Sequence, residues 1–228
     1  MVAICNIFVI IIFWLFWSQS QQFLETDIQS TNKIYDRLHD CNIMKQIHDY
    51  MLHYKQFTDY CLIITTLLID INIVYYFYRF LRHDDIKPII LLISGVLLRQ
   101  LCQFLNRSPS PDNVIWYDPG FPSIIMNYNV ATDFFFSGHT LTALIFGIEL
   151  LKSRYVSIKI YAVIYMLLEI SFVLVTRSHY FMDIYAAFTT YFMLNYFYDN
   201  MSFILSNINY IIVTYAAKFK RIKGKFID

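Results

Sequence analysis

Glycine and proline are scarce in this chain, with five of each among 228 residues. Because these two residue types interrupt helices, their scarcity favours long uninterrupted helical segments. Charge is scarce as well: 15% of the residues are charged, and the formal net charge is +1. So small a net charge gives no electrostatic basis for binding nucleic acid, and we expect no nucleic-acid partner.

Cysteine is also sparse, and its four copies do not follow the spacing of a metal site. Cys41 and Cys61 are able to pair if both lie on the lumenal side of a membrane. Free or buried thiols are the better interpretation of all four, which are Cys5, Cys41, Cys61 and Cys102.

Hydrophobic residues, by contrast, make up 57% of the chain and aromatic residues 19%, a composition typical of multi-span membrane proteins. A spanning helix needs roughly 20 apolar residues, and about 17 still suffice. Five segments meet or nearly meet this length: residues 60–80, 86–105, 134–151, 156–175 and 180–198. With the short segment 2–17, the chain is predicted to be all-α, a polytopic membrane helix bundle of about six transmembrane helices.

Basic residues predict the orientation of this bundle. They cluster between the predicted spans at 79–87 and 152–159 and in the tail at 218–225, so these three regions should face the cytosol. The connections 19–57, 106–132 and 176–178 then lie on the lumenal or exoplasmic side. Residues 201–217 are apolar, but a further crossing would put the basic tail on the wrong side, so we interpret them as an interfacial helix.

The chain is accordingly divided into four regions. Residues 1–20 are an N-terminal membrane anchor or signal segment, and the missing basic leader favours the anchor. Residues 21–57 are a lumenal polar segment, and residues 58–200 are the transmembrane helix core that is expected to carry catalysis. Residues 201–228 comprise the interfacial helix and a basic cytosolic tail.

Two histidines begin apolar runs at the same predicted membrane face. His179 and Asp183 are four positions apart, so on a helix the carboxylate can accept the Nδ1 hydrogen of the imidazole and leave Nε2 free as a nucleophile. His139 follows Ser137 and Gly138 at a predicted helix start, where free backbone N–H groups favour a phosphate and His139 can act as general acid. A histidine–aspartate pair between helices and a simple Ser137 N-cap are the structural alternatives.

Two arginines supply positive charge for a phosphate. Arg99 lies well inside the segment 86–105, where a charge needs a partner or a wet cavity, and Arg177 adjoins the second histidine. Snorkelling and interfacial anchoring are the alternatives for these two arginines. Asp133 is a supporting candidate that can hold an arginine or a histidine, whereas the intramembrane acids Glu149 and Glu169 receive no role.

These motifs together resemble those of the type 2 phosphatidic acid phosphatase superfamily. Asp133, an aromatic stretch and Ser137-Gly138-His139-Thr140 are similar to the Gly-Asp-aromatic-x-aromatic-Ser-Gly-His-Thr pattern of the sphingomyelin synthase family. Arg99 followed by Pro109 and Pro111 is similar to an arginine and Leu-Pro-x-Pro in the same family. Thr176-Arg177-Ser178-His179-Tyr180 resembles the plant-type phosphatidylcholine:diacylglycerol cholinephosphotransferases. Thr132, Ser108 and Ser178 depart from these patterns, so the head group and acceptor remain open.

The resemblance implies phosphocholine transfer from phosphatidylcholine to ceramide or diacylglycerol, with His179 as nucleophile, His139 as acid and base, and no metal or cofactor. Ser137, Gly138, Arg99 and Arg177 would bind the substrate phosphate, and the partners would be membrane lipids. A lipid phosphate phosphatase is the alternative, although the Lys…Arg-Pro signature of that branch is not found around Arg99. A membrane scaffold with relic motifs is a third class, which the presence of every catalytic position argues against. The oligomeric state is not predicted.

Overall fold

Seven helices make up the regular structure of the residues that the computed structural model describes, which are 2–24, 34–83, 85–105, 109–124, 128 and 135–224. These described residues contain no strand. The helices are α1 (Val2–Leu24), α2 (Asn42–His53), α3 (Lys55–His83), α4 (Lys87–Leu105), α5 (Gly138–Leu151), α6 (Val156–Val175) and α7 (Phe181–Gly224).

The predicted all-α membrane fold is confirmed. By length and composition, α3, α4 and α6 can each cross a membrane, and Ile7–Gln19 within α1 and Gly138–Leu151 are shorter apolar helices. Large apolar side chains on their outer faces are exposed, as at Phe8, Phe104 and Leu167, which suits contact with hydrocarbon. The protein is therefore an integral membrane protein, and the number of six crossings stays a prediction.

The chain divides into two compact units, Met1–Tyr191 and Phe192–Asp228. In the first unit, α5 packs most extensively against α6 and also contacts α3 and α4. The Tyr76 ring of α3 stacks on Phe146 of α5 with centroids 4.8 Å apart, and the Tyr76 hydroxyl donates to the Phe146 carbonyl at 3.2 Å. These contacts hold α3 against the middle of α5.

Polar side chains of the apolar helices point inward, where burial in protein is less costly than exposure to lipid. Asp70 of α3 is buried and accepts hydrogen bonds from the Ser123 hydroxyl at 3.3 Å and the Ile124 amide at 3.1 Å. Asn72 donates to the Tyr161 hydroxyl at 2.9 Å, which links α3 to α6. The bundle interior therefore has a polar network along one side of α3.

Several expected element boundaries differ from the structure. A helix end was predicted near residue 198, but α7 continues to Gly224. Polar side chains near this position form hydrogen bonds within the helix, as where Asn195 donates to Asp199 at 3.1 Å. The connection predicted at 19–57 contains the end of α1 and the short amphipathic α2, whose His48 and Met51 are buried. The four predicted regions of the chain stay a prediction.

Candidate active site at the ends of α5, α6 and α7

The first motif forms the N-terminus of α5. Ser137 is the N-cap, and its hydroxyl oxygen accepts a hydrogen bond from the Thr140 amide at 3.2 Å. This is the capping role that serine takes when the first amides of a helix lack carbonyl partners. His139 follows on the first turn and is 5% exposed. The cap therefore holds the imidazole at the end of an otherwise buried helix.

Arg99 of α4 lies against this N-terminus. Its Nε donates to the carbonyl of Phe136 at 2.7 Å, and its guanidinium carbon would be 3.4 Å from a Cβ atom at Gly138. Glycine thus lets the guanidinium approach the backbone closely. His139 lies within electrostatic range of both Arg99 and His179. The structure brings together the predicted acid, nucleophile and phosphate-binding arginine.

The second motif lies in the turn between α6 and α7, not on a helix. Because α7 begins at Phe181, His179 precedes it, and the four-residue spacing to Asp183 does not produce the expected helical pair. The Asp183 Oδ2 atom accepts instead from the Tyr180 amide at 2.9 Å. Asp183 is the third residue of α7, and an acidic side chain at this position often accepts from the amide of the N-cap residue. The Nδ1 atom of His179 is 3.7 Å from the same oxygen.

The two motifs are tied by main-chain contact. The Ser137 amide donates to the carbonyl of Asp183 at 3.2 Å, so the cap of α5 is bonded to the first turn of α7. His179 and Asp183 are 5% and 3% exposed, respectively. Together with the buried His139, they form a site that is largely screened from bulk water.

Arg177, which was predicted to bind the substrate phosphate, donates hydrogen bonds to main-chain carbonyls in this structure. Its guanidinium donates to the carbonyl of His39 at 3.1 Å and to that of Asp112 at 3.4 Å. Its backbone has a φ of 54°, the left-handed region that non-glycine residues seldom occupy. These contacts give Arg177 a role in holding the turn, and a phosphate contact stays a prediction for it.

Aromatic side chains that belong to neither motif lie beside His139. The Trp116 ring meets the His139 ring edge-on at 5.6 Å between centroids, and Phe172 of α6 is 6.4 Å away. Tyr128 lies 4.8 Å from Trp116. Trp116 and Tyr128 come from a connection without hydrophobic periodicity, so no sequence pattern marked them.

Glu169 of α6 is an unexplained buried acid near this group. It lies one turn from Phe172 on the same buried face of α6, and its side chain is 0% exposed. Neither of its carboxylate oxygens has a hydrogen-bond partner among the described residues. Tyr128 lies within electrostatic range of Glu169, and burial is the main cause that raises the pKa of Tyr128.

Two histidines of the polar region before α3 also reach the second motif. The Nε2 atom of His39 lies 3.0 Å from the carbonyl oxygen of His179. The Nδ1 atom of His48 lies 2.8 Å from the carbonyl oxygen of Val175. Both partners are more than a hundred positions away in sequence and are backbone carbonyls, which carry no residue signature. No local sequence pattern predicts these contacts.

Asp133 lies outside the described residues, so its supporting role stays a prediction. Cys41, Cys61 and Cys102 are free thiols. In the described part of the chain, no group of three or more histidine, cysteine, aspartate or glutamate residues could hold a metal ion.

Fold and site together define a class: an integral membrane protein with two histidines, an aspartate and an arginine gathered at the ends of its helices. Residues 131–200 match the family model described as PAP2 superfamily C-terminal, and this stretch contains His139, His179 and Asp183. The match supports the PAP2 superfamily, and with it an enzyme of the phosphatase or phosphotransferase type. Comparisons with the curated proteins and with the solved structures find no match.

Proposed function

We propose that this protein is a lipid head-group transferase that moves phosphocholine from phosphatidylcholine to ceramide or diacylglycerol through a phosphohistidine at His179. The observation that carries the proposal is the joining of the two motifs: the Ser137 amide bonds to the Asp183 carbonyl and Arg99 lies against Gly138, in a site largely closed to bulk water. A pair of imidazoles beside a guanidinium is suited to phosphoryl transfer, because one ring attacks while the other moves the proton.

In the first half-reaction, Nε2 of His179 attacks phosphorus and the bond from phosphorus to the diacylglycerol oxygen breaks. Protonated His139 gives its proton to that oxygen, so neutral diacylglycerol leaves. The Nδ1 side of His179 faces Asp183 at 3.7 Å, and this carboxylate stabilises the positive charge that develops on the ring. Phosphocholine is then bonded to His179.

In the second half-reaction, neutral His139 removes the proton from the acceptor hydroxyl, and the acceptor oxygen bonds to phosphorus as the bond to His179 breaks. The product is a new phosphocholine lipid, and both imidazoles return to their starting states. Arg99 and the free amides at the start of α5 would stabilise the non-bridging oxygens in both transition states.

Low exposure of the site supports transfer over hydrolysis. His139, His179 and Asp183 are each nearly buried, so bulk water has little access to a phosphohistidine there. Beside Asp183 lies a surface cavity of about 460 Å³, lined by residues 34–38 and 180–182 together with Phe135; most of these side chains are apolar, and Asp36 and Arg37 are charged. Such a recess suits the chain of a lipid alcohol that enters from the bilayer.

The aromatic pair beside His139 supports a cationic head group. A trimethylammonium group binds favourably over tryptophan and tyrosine faces, and Trp116 and Tyr128 lie side by side there. Phosphate alone, or an anionic head group, would gain no cation–π attraction from these two rings.

The choline assignment predicts a selective effect of Trp116→Leu. Loss of the aromatic face should raise the KM for phosphatidylcholine by about tenfold, since a desolvated cation–π contact contributes on the order of 1–2 kcal/mol. The same variant assayed with phosphatidic acid, which lacks the cation, serves as the matched control. Equal effects on both substrates would contradict the assignment.

The main test uses purified protein in mixed micelles with phosphatidylcholine and fluorescent ceramide or fluorescent diacylglycerol, with products separated by chromatography. A new fluorescent phosphocholine lipid should form with the wild type and be absent with His179→Ala. His53→Ala is the control, because His53 is exposed and its ring bonds to the Asp49 carbonyl of its own helix. Retained turnover by His179→Ala would refute the nucleophile assignment.

Phosphatase activity is the competing outcome of the same test. Release of phosphate from phosphatidic acid, without labelled product from either acceptor, would assign the protein to hydrolysis by the same phosphohistidine. We further propose that the reaction faces the lumenal or exoplasmic side, because the basic clusters at the other ends of the helices should face the cytosol.

A further inference from the structure

A polar segment before α3, residues 34–53, holds the turn that carries His179. Its side chains or carbonyls form hydrogen bonds with every second residue from the end of α6 to the start of α7, which are Val175, Arg177, His179 and Phe181. Residues 34–53 contain no part of the two motifs. The contacts are therefore an addition to the site that the motifs alone do not include.

His39 provides the central contact of this segment. Its Nε2 lies 3.0 Å from the carbonyl oxygen of His179, and since a carbonyl can only accept, Nε2 must carry the hydrogen. The ring also stacks on Tyr180, with centroids 5.8 Å apart and planes 27° from parallel. His39 is buried, so water does not compete for this bond.

Asp36 provides a second contact on the other side of His179. Its Oδ2 atom accepts from the amide of Phe181 at 2.6 Å, and its Oδ1 atom accepts from the amide of Leu38 at 2.9 Å. Phe181 is the first residue of α7, so the carboxylate caps a helix N-terminus, where negative charge is favourable. The same carboxylate stiffens its own loop through Leu38.

The reverse contact comes from Arg177, which donates to the carbonyl of His39. Because Arg177 is held in the left-handed region, its turn needs external contacts to persist. His39 thus accepts from the turn through its carbonyl and donates to it through its ring. The turn and the polar segment are bonded in both directions.

We propose that His39 and Asp36 are positioning residues for the nucleophile, which fix the main chain on both sides of the His179 side chain and thereby aim its imidazole. This inference rests on the proposed role of His179, and it holds equally for transfer and for hydrolysis. With the carbonyl of residue 179 and the amide of residue 181 both held, the imidazole keeps its distance to Asp183 and its angle to His139. Small displacements of a reacting group are costly in rate.

The kinetic test compares His39→Leu with His39→Gln in the full-length protein. The amide nitrogen of glutamine can replace Nε2–H as donor to the His179 carbonyl, whereas leucine cannot. We expect kcat to fall by about tenfold or more in His39→Leu with little change in KM, and to recover in large part in His39→Gln. His53→Ala is the matched control and should behave as wild type.

A purely structural role would lower the thermal stability of His39→Leu and the amount of active protein, but kcat normalised to folded protein would then equal that of wild type. Unchanged kcat in His39→Leu, or equal losses in the leucine and glutamine variants, would overturn the proposal.

Hydrogen–deuterium exchange tests the same idea without any activity. In Asp36→Ala, peptides covering 177–184 should exchange several times faster than in wild type, because the amide of Phe181 loses its acceptor. Asp40→Ala, an exposed acid of the same segment, is the control. If wild type turned over neither phosphatidylcholine nor phosphatidic acid, the proposed function would fail, while exchange would still decide the positioning role. Unchanged exchange in Asp36→Ala would refute it.

Discussion

Arg99 combines two contacts that a lysine could not reproduce. Its Nε is occupied by the Phe136 carbonyl, while the rest of the planar guanidinium lies over Gly138 at the start of α5. A guanidinium presents its donors in a fixed planar fork, so it can bridge two acceptors in a set geometry. A lysine has all three donors on one flexible nitrogen and cannot keep that geometry.

We therefore expect Arg99→Lys to lower kcat for lipid turnover by about 100-fold, similar to the loss of one preorganised oxyanion donor. The measurement is steady-state turnover in mixed micelles, normalised to correctly inserted protein. Arg82→Lys, an exposed change outside the site, should leave turnover unchanged. A fall of less than threefold in Arg99→Lys would show that charge alone suffices at this position.

His48 links stability to pH. Burial lowers its pKa below 6.5, against an opposing effect from the hydrogen bond to the Val175 carbonyl, and Arg177 lowers the pKa further. Below pH 6.5 the unfolded chain binds a proton at this position and the folded chain does not. Stability should therefore fall as pH drops from 6.5 toward the folded-state pKa, and be independent of His48 above 6.5.

Thermal unfolding at pH 7 and pH 5 tests this expectation. His48→Asn can keep a donor to the Val175 carbonyl without titrating, so its melting temperature should fall less between the two pH values than that of wild type. The exposed His53→Asn variant should show the wild-type loss. A loss of equal size in His48→Asn and wild type would exclude a contribution from His48.

At the scale of elements, the contact between α5 and α6 depends on a glycine. A methyl group at Gly147 would overlap the Met166 side chain, with its sulfur only 2.6 Å away. Gly147→Ala should consequently destabilise the protein by about 1–3 kcal/mol, the usual cost of overpacking. The exposed Gly120 has no atom within 4 Å of an added Cβ but a positive φ, so it is not a neutral control.

The control for Gly147→Ala is a second change at its partner. Met166→Ala makes room for the methyl group, so the double variant should be more stable than the sum of the two single losses predicts. Chemical or thermal unfolding in detergent gives the four values of this cycle. Strict additivity would mean that residues 147 and 166 do not interact.

Some elements were predictable from the sequence because their signals are local. The apolar run 156–175 coincides with α6, and the cap of α5 at Ser137 was the structural alternative for that residue, whose phosphate contact stays a prediction. The end of α7 was not predictable from length alone, because polar residues near 198 form hydrogen bonds within the helix and do not end it. The place of His179 before its helix depended on the turn geometry at Arg177, which a four-residue spacing does not encode.

At the scale of the whole molecule, the candidate site was predictable only in part. Histidine, aspartate and arginine side chains were found by their motifs, and the structure brings His139, His179 and Arg99 near one another. Asp36, His39 and His48 act on main-chain atoms more than a hundred positions away, and Trp116 reaches His139 from an irregular connection. Such contacts depend on the packing of the helices and have no local pattern.

The orientation of the chain in the membrane can be tested with engineered glycosylation acceptors. Gly120→Asn with Pro122→Thr creates one in the connection between α4 and α5, and asparagine tolerates the left-handed backbone at that position. Microsomal translation should glycosylate this variant, because the connection is predicted to be lumenal. Gly224→Asn with Phe226→Thr, in the basic tail, should stay unmodified. The reverse pattern would invert the proposed topology.

The order of the site along the chain has a consequence for biosynthesis. His39 is made 140 positions before the turn that it holds, and Arg99 and His139 also precede that turn. A growing chain therefore carries the proposed acid and the proposed phosphate-binding arginine long before it carries His179 and Asp183. Chains that end before α7 should therefore have no activity on the lipids around them. Activity should begin only after α7 has been synthesised and inserted.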